Sequence, residues 1–166
     1  AIHSSDRHDW RTPPDLFAKL DREFNFQIDL ASSDENAKCA LHLTLADDAL
    51  STGWADLANV GFLNPPYGRG VHKWISKCVE EARRGMTIVC LVMACTETDW
   101  FCKAWDAAAE VRFVRRRVRF LNHAGEDAGS APKGSVLLVF RPGLHYVFGP
   151  SPFHDAPVCS IWDPTA

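Results

Sequence analysis

The chain has 166 residues, 46% of them hydrophobic and 23% charged, a length and balance that suit one compact domain with its own core and exclude a disordered or low-complexity polypeptide. Its formal net charge of −3 removes any whole-chain argument for a nucleic-acid partner, so such a claim must rest on local charge. The longest apolar run, residues 87–95, is too short to cross a bilayer and no charged-then-apolar leader opens the chain, so a cytosolic protein is expected.

In chain order, Thr12-Pro13-Pro14-Asp15 reads as a helix start, with a Thr cap, proline where a missing N–H does no harm, and an acid three residues after the cap. Leu16, Phe17, Leu20 and Phe24 then share one face. Residues 26–30 read as a strand in which Asp29 is the anomaly: a carboxylate there is costly unless paired, so it is either a ligand-site residue or a helix cap. Ser33-Asp34-Glu35 is read as the cap of a second helix through Ala37, Cys39 and Ala40. A polar stretch, 44–58, leads to strand 60–63, which two prolines end abruptly. Val71, Trp74, Ile75, Cys78, Val79 and Ala82 predict a helix closed by Gly85. Residues 87–94, apolar on both parities, predict a central strand buried on two faces. Thr98 caps a helix carrying Phe101, Ala104, Trp105 and Ala108, and 111–121 and 135–140 are read as strands separated by a Gly-rich loop. The whole of 1–166 is read as one domain, with a core at about 10–141 and an extended tail at 142–166. The six cysteines form no C-x-x-C pair and His42, His72 and His123 show no ligand spacing, so reduced thiols and no metal are expected.

Alternating strands and helices predict an open, largely parallel α/β sheet that binds ligands at the carboxyl ends of its strands. Asp29 and Asn64 lie 35 residues apart. A strand–helix–strand unit uses about 30 residues or more, so only one crossover fits and their strands are expected to be neighbours.

Asn64-Pro65-Pro66-Tyr67 carries the most chemistry. As a bare match, Pro-Pro only turns the chain; placed after an apolar strand and before a helix, it sits where an α/β sheet puts a site. An exocyclic amine such as that of adenine is a poor nucleophile, because its lone pair is delocalised into the ring. Methylating it calls for acceptors aimed at the amine hydrogens and a surface that holds the base flat. The Asn64 side-chain oxygen is one acceptor. The Pro65 carbonyl is a second, since Pro66 has no N–H to offer and keeps the chain extended. Tyr67 presents an aromatic face, a stacking interaction of about 1–3 kcal/mol.

Several segments are shared with a known family: Trp10-x-Thr12-Pro13 with Phe17 and Leu20; Ile28-Asp29-Leu30-Ala31-Ser32 followed by Asn36-Ala37-x-Cys39-Ala40; and Asp47-Asp48-Ala49-Leu50 followed by Trp54. Asn-Pro-Pro-Tyr-Gly at 64–68, Thr98-Asp99-Trp100-Phe101, Arg117-Val118-Arg119-Phe120 and Gly134-Ser135-Val136-Leu137 complete the set. Over about residues 10–140 the chain thereby resembles the phage-type Dam family of adenine-N6 DNA methyltransferases. The resemblance implies a reduced class I (Rossmann-like) sheet, mostly parallel with an antiparallel strand near the C-terminus. It further implies S-adenosylmethionine as cofactor, double-stranded DNA as partner, and a phage- or prophage-encoded enzyme in a bacterial cytoplasm. Catalysis falls to Asn64, Pro65, Pro66 and Tyr67, and cofactor binding to Trp10, Thr12, Pro13, Asp29, Ala31 and Ser32. Thr12 has a second reading as a helix cap.

The broader class carries a glycine-rich turn after its first strand, which is absent here, and two more strands between Asp29 and Asn64, for which there is no room. Those strands are expected to be missing or vestigial, so that the 44–54 loop lines the adenosine pocket. Asp47 or Asp48 is then a candidate acceptor from a ribose hydroxyl or the adenine amine; solvated loop acids are the alternative.

Five arginines, Arg112, Arg115, Arg116, Arg117 and Arg119, crowd into eight residues and are interleaved with Val111, Phe113, Val114, Val118 and Phe120. An ordinary strand face explains part of this, but the Arg115-Arg116-Arg117 triplet points to DNA phosphates, with Arg119 and Lys133 beside it. Relaxed sequence specificity is expected, because no leftover segment has the length of a recognition domain. Rival readings are methylation of RNA adenine or of a protein glutamine amide, and a non-catalytic DNA-binding protein.

Overall fold

The computed structural model describes residues 10–143 and 158–165. Helix α1 (Pro14–Phe24) is followed by two short strands, β1 (Ile28–Asp29) and β2 (Leu41–His42). After 3-10 turns at Leu45–Asp47 and Trp54–Asp56 come β3 (Val60–Leu63), α2 (Val71–Arg83), β4 (Thr87–Met93), α3 (Asp99–Ala107) and β5 (Glu110–Val114). The chain continues through β6 (Arg119–Leu121), β7 (Asp127–Ser130), β8 (Ser135–Phe140) and β9 (Val158–Trp162).

Seven strands form one sheet in the order β2-β1-β3-β4-β8-β5-β9, and β6 and β7 form a separate ribbon. From β2 to β4 every pairing is parallel; β8 runs antiparallel to both β4 and β5, and β9 is parallel to β5. The largely parallel α/β sheet and its late antiparallel strand are therefore as expected. Alternation along β4 divides the core. Ile88, Cys90 and Val92 join α2 and α3 on one face, while Val89 and Leu91 join Leu16 and Leu20 of α1 on the other. Among the described residues no helix is long and apolar enough to cross a membrane, and no group of three or more His, Cys, Asp or Glu side chains is placed to hold a metal ion. All six cysteines are free thiols; Cys78 and Cys90 are buried, whereas Cys102 and Cys159 are exposed.

Five local expectations need correction. Residues 33–40 form turns and bends instead of a helix. Their backbone donors go elsewhere: Lys38 N–H to the Asp29 carboxylate and Ser33 N–H to the Asn36 side chain. Thr12 does not cap α1, whose N-cap is Pro13 with no side-chain cap bond; Thr12 is buried and bonded to Asn64. The 111–121 strand breaks after Val114, where Arg116 adopts a left-handed φ of +67° and redirects the chain. The following Gly-rich segment supplies β7, so it is half of a ribbon. Finally, part of the expected tail is β9, which extends the main sheet through its register with β5; of that tail, residues 144–157 and 166 lie outside the described residues.

Candidate active site

The carboxyl ends of β1 and β3 lie side by side, with Ile28 paired to Gly61 and Asp29 to Phe62, as the 35-residue spacing requires. Gly61 permits this approach: a Cβ there would fall 2.5 Å from Met86 Cε and 2.8 Å from Leu30 Cδ1. A cavity of about 520 Å³ opens beyond the strand ends. That is within the roughly 300–1,000 Å³ range of small-molecule pockets. Of the residues expected at the site, Trp10, Thr12, Asp29, Ala31, Ser32, Asp48, Asn64, Pro65 and Pro66 line it; Pro13, Asp47 and Tyr67 do not.

Asn64 is the best-defined side chain in the cavity. Its Nδ2 donates to the Trp10 carbonyl at 2.7 Å and to Thr12 Oγ1 at 3.1 Å. The carbonyl can only accept, which fixes the amide orientation. Oδ1 is left buried and without a hydrogen-bond partner. An unsatisfied buried acceptor costs about 1–3 kcal/mol, so its presence marks a place where a ligand donor is expected. The N-terminal segment that orients Asn64 is itself anchored, because Arg11 and Leu121 of β6 exchange backbone hydrogen bonds of 2.9 Å.

Asp29 is 3% exposed and organises the loop that replaces a glycine-rich turn. Its carboxylate accepts from Lys38 N–H at 2.9 Å and Ala31 N–H at 3.4 Å. Burial raises its pKa, against the lowering effect of these two bonds. No helix follows, so the helix-cap alternative is removed. Ser32, which lines the cavity, has a buried Oγ with no partner.

The 44–50 segment forms one wall of the cavity, as expected of the loop between β2 and β3. Its two acids differ. Asp47 Oδ2 accepts from both Thr44 N–H and Thr44 Oγ1 at 2.7 Å, closing the 3-10 turn, and this use keeps it out of the cavity wall. Asp48, in a left-handed conformation at φ +45°, lines the cavity and accepts from Ser51 Oγ at 2.7 Å.

Tyr67 packs edge-on against Trp10 and Phe120, with ring centroids 6.5 and 6.0 Å away. Its hydroxyl is buried without a partner, and burial pushes its pKa well above the usual phenol value. Asn64 and Tyr67 thus share the Trp10 neighbourhood, each with an unsatisfied polar atom.

Sequence reasoning missed several cavity residues, Trp74, Asn36 and Lys38 among them. Trp74 lines the wall and stacks on Trp54 at 6.2 Å, but its helical spacing made it indistinguishable from core. Asn36 and Lys38 also line it; their segment was taken for helix, although both fall within the shared Asn36-Ala37-x-Cys39-Ala40 segment. The charged candidates are largely engaged within the protein. Arg115 pairs with Asp163 at 3.1 Å, Arg119 with Asp127, and Lys133 with Glu97, while Arg117 donates to the Ala131 and Pro132 carbonyls.

The family described as DNA N-6-adenine-methyltransferase (Dam) matches residues 1–149. The chain is 27% identical over 149 residues to the DNA N-6-adenine-methyltransferase of Escherichia phage T1, covering 80% of this chain and 62% of that protein, so it spans less than two thirds of that relative. It is 25% identical over 146 residues to the protein of the same name in Haemophilus phage HP1, covering 86% and 83% of the two chains. Over 63 residues it is 41% identical to the "Putative methyltransferase YfdM" of Escherichia coli K12, covering 35% and 69%. The family match takes in the whole cavity wall and the Asn-Pro-Pro-Tyr segment, and the chain belongs to the Dam family of DNA N-6-adenine-methyltransferases.

Proposed function

We propose that the protein transfers a methyl group from S-adenosylmethionine to the N6 amine of adenine in double-stranded DNA. The observation that carries this reading is the orphaned Asn64 Oδ1 at the wall of the cavity, an acceptor already oriented for an amine hydrogen. The sheet supports the class I (Rossmann-like) assignment, with β2 as a two-residue remnant beside β1 and β8 as the antiparallel insertion.

The cavity's volume and chemistry fit the cofactor. Ser32 Oγ and Asp48 offer polar groups, while Ala31, Ala49 and Trp74 offer apolar walls, and Asp29 holds the intervening backbone in place. When bound, S-adenosylmethionine supplies an electrophilic methyl on its sulfonium, so that a nitrogen–carbon bond forms as the sulfur–carbon bond breaks. Asn64 Oδ1 and the Pro65 carbonyl accept the amine hydrogens, allowing the nitrogen to pyramidalise toward that methyl. Tyr67 supplies the aromatic surface for the extruded base. The amine proton passes to solvent, and no side chain has to act as a strong base. We propose that this work takes place in the cytoplasm of a bacterial host, a reading supported by the phage sources of two of its named relatives.

Asp29→Ala is expected to weaken cofactor binding by about tenfold, because it leaves the Ala31 and Lys38 N–H groups without an acceptor at a cost of about 1–3 kcal/mol. Calorimetric titration checks this. Unchanged affinity in a folded variant would confine Asp29 to loop structure, and no cofactor binding by the parent protein would favour a DNA-binding scaffold.

We further propose relaxed sequence specificity. A β-ribbon can enter the major groove, and β6–β7 is one. However, its Arg119 is neutralised by Asp127 and its connection carries Glu126, so it offers little for base edges. Mapping of methylated adenines across a mixed genome should show modification in many contexts; confinement to one motif of four or more fixed bases would contradict this.

A further inference from the structure

Resting on the methyltransferase reading above, we infer that Arg69 and Lys73, which flank the Gly70 N-cap of α2 directly after Asn-Pro-Pro-Tyr, grip the DNA phosphates beside the extruded adenine.

The arginine triplet of the sequence is a weaker candidate than its composition suggests. Arg112 is shared between Glu23 and Glu110, Arg115 is paired with Asp163, and Arg119 with Asp127. Arg117 is spent on the carbonyls of Ala131 and Pro132, where it ties down the segment before β8. Each would have to give up an internal partner to meet a phosphate. Only Arg116 in that run has an unengaged, exposed side chain.

Arg69 and Lys73 are exposed, and among the described residues neither side chain meets an acid or a carbonyl. The first turn of α2 contains no acid to compete for them. Their backbone is fixed. Gly68 takes φ +137°, a conformation that a side chain disfavours, and so turns the chain sharply after Tyr67. His72 Nδ1 then donates to the Arg69 carbonyl at 2.9 Å, and Lys73 N–H donates to the Gly70 carbonyl at 3.0 Å. Trp74, the next residue, reaches the cavity wall. Two uncommitted cations are therefore held two residues beyond the catalytic segment at one end and one residue before a cavity wall at the other. In the proposed reaction the backbone of the extruded base runs beside the Asn-Pro-Pro-Tyr segment, and the phosphates of that backbone are the anions of matching chemistry.

The test is DNA-binding affinity as a function of salt for the parent, the Arg69→Ser/Lys73→Ser double variant, and an Arg115→Ser/Arg117→Ser/Arg119→Ser triple variant, using one unmethylated duplex. Each lost phosphate contact lowers the logarithmic salt slope by about 0.9, so the double variant should lose about 1.8 while the triple variant keeps the parent slope. Charge-retaining Arg69→Lys/Lys73→Arg should also keep it. Cofactor affinity, measured in parallel, should be unchanged in the double variant and confirms that it folds. A parent slope in the double variant, or a drop of that size in the triple variant instead, overturns the inference while leaving the methyltransferase reading intact. A parent that binds no DNA overturns both.

Discussion

Asn64→Ala is expected to lower methyl transfer to DNA by about 10²–10³-fold, the usual consequence of losing one preorganised polar group at a reacting centre. The geometry separates this effect from cofactor binding. Nδ2 is tied to Trp10 and Thr12, so the one free function of the side chain is the unpartnered Oδ1. Removing it takes away an acceptor used at the target amine. Steady-state rates combined with cofactor calorimetry check this: kcat should collapse while cofactor affinity stays near that of the parent. Near-normal turnover would remove Asn64 from the chemistry. Thr12→Val probes the same point from the other side, since it deletes an acceptor that orients the amide while keeping the side-chain volume; it should lower kcat by less than Asn64→Ala does.

Glu81→Ala is expected to destabilise the fold by about 3–5 kcal/mol, the range found when one partner of a buried ion pair is removed. Glu81 is fully buried on α2. Its carboxylate meets Lys77 Nζ at 2.7 Å and Arg84 Nη1 at 2.9 Å, and accepts from Ala55 N–H at 2.8 Å. Burial alone would raise its pKa, but the bonds from Lys77 and Ala55 and the charges of Lys77 and Arg84 outweigh it and leave the pKa below the ordinary glutamate value. Without Glu81, Lys77 keeps the exposed Glu80 as its acidic partner and the Trp54 ring 5.9 Å away, and Ala55 N–H loses its acceptor. The loss reaches the site as well. Ala55 belongs to the 3-10 turn that holds Trp54, whose Nε1 donates to the carbonyl of Ala49 in the cavity wall at 2.7 Å. Thermal unfolding should show a midpoint lowered by on the order of 10 °C, given about 2–4 °C per kcal/mol for a chain of this size. Glu81→Gln, which keeps an acceptor for Ala55, should lose less. A cost under about 1 kcal/mol for Glu81→Ala would mean that the cluster behaves as a solvated surface pair.

Long, strongly patterned elements were legible in the sequence: α1, α2, α3, β4 and β8 stand where periodicity puts them. The adjacency of β1 and β3 was legible too, from chain length alone. What was not legible depends on partners distant in sequence. Residues 33–40 have the pattern of a helix, yet the Asp29 carboxylate captures Lys38 N–H and turns the chain alongside β1. Thr12 has the signature of a cap, but Asn64, far along the chain, takes its hydroxyl. β9 lies in a segment with little local signal and gains its strand form from pairing with β5. At the site the same division holds. The Asn-Pro-Pro-Tyr segment and Asp29 stand out as local anomalies, whereas Trp74 and Lys38 join the cavity only through the packing of α2 and the folded-back loop.

The central claim is tested most directly by incubating the protein with methyl-labelled S-adenosylmethionine and unmethylated double-stranded DNA, then digesting the DNA to nucleosides and separating them. The expected result is label in N6-methyldeoxyadenosine and in no other nucleoside, with none when Asn64→Ala replaces the parent. Label appearing on cytosine, label only in RNA or protein glutamine when those are offered alongside, or no transfer by a protein that binds the cofactor, would contradict it.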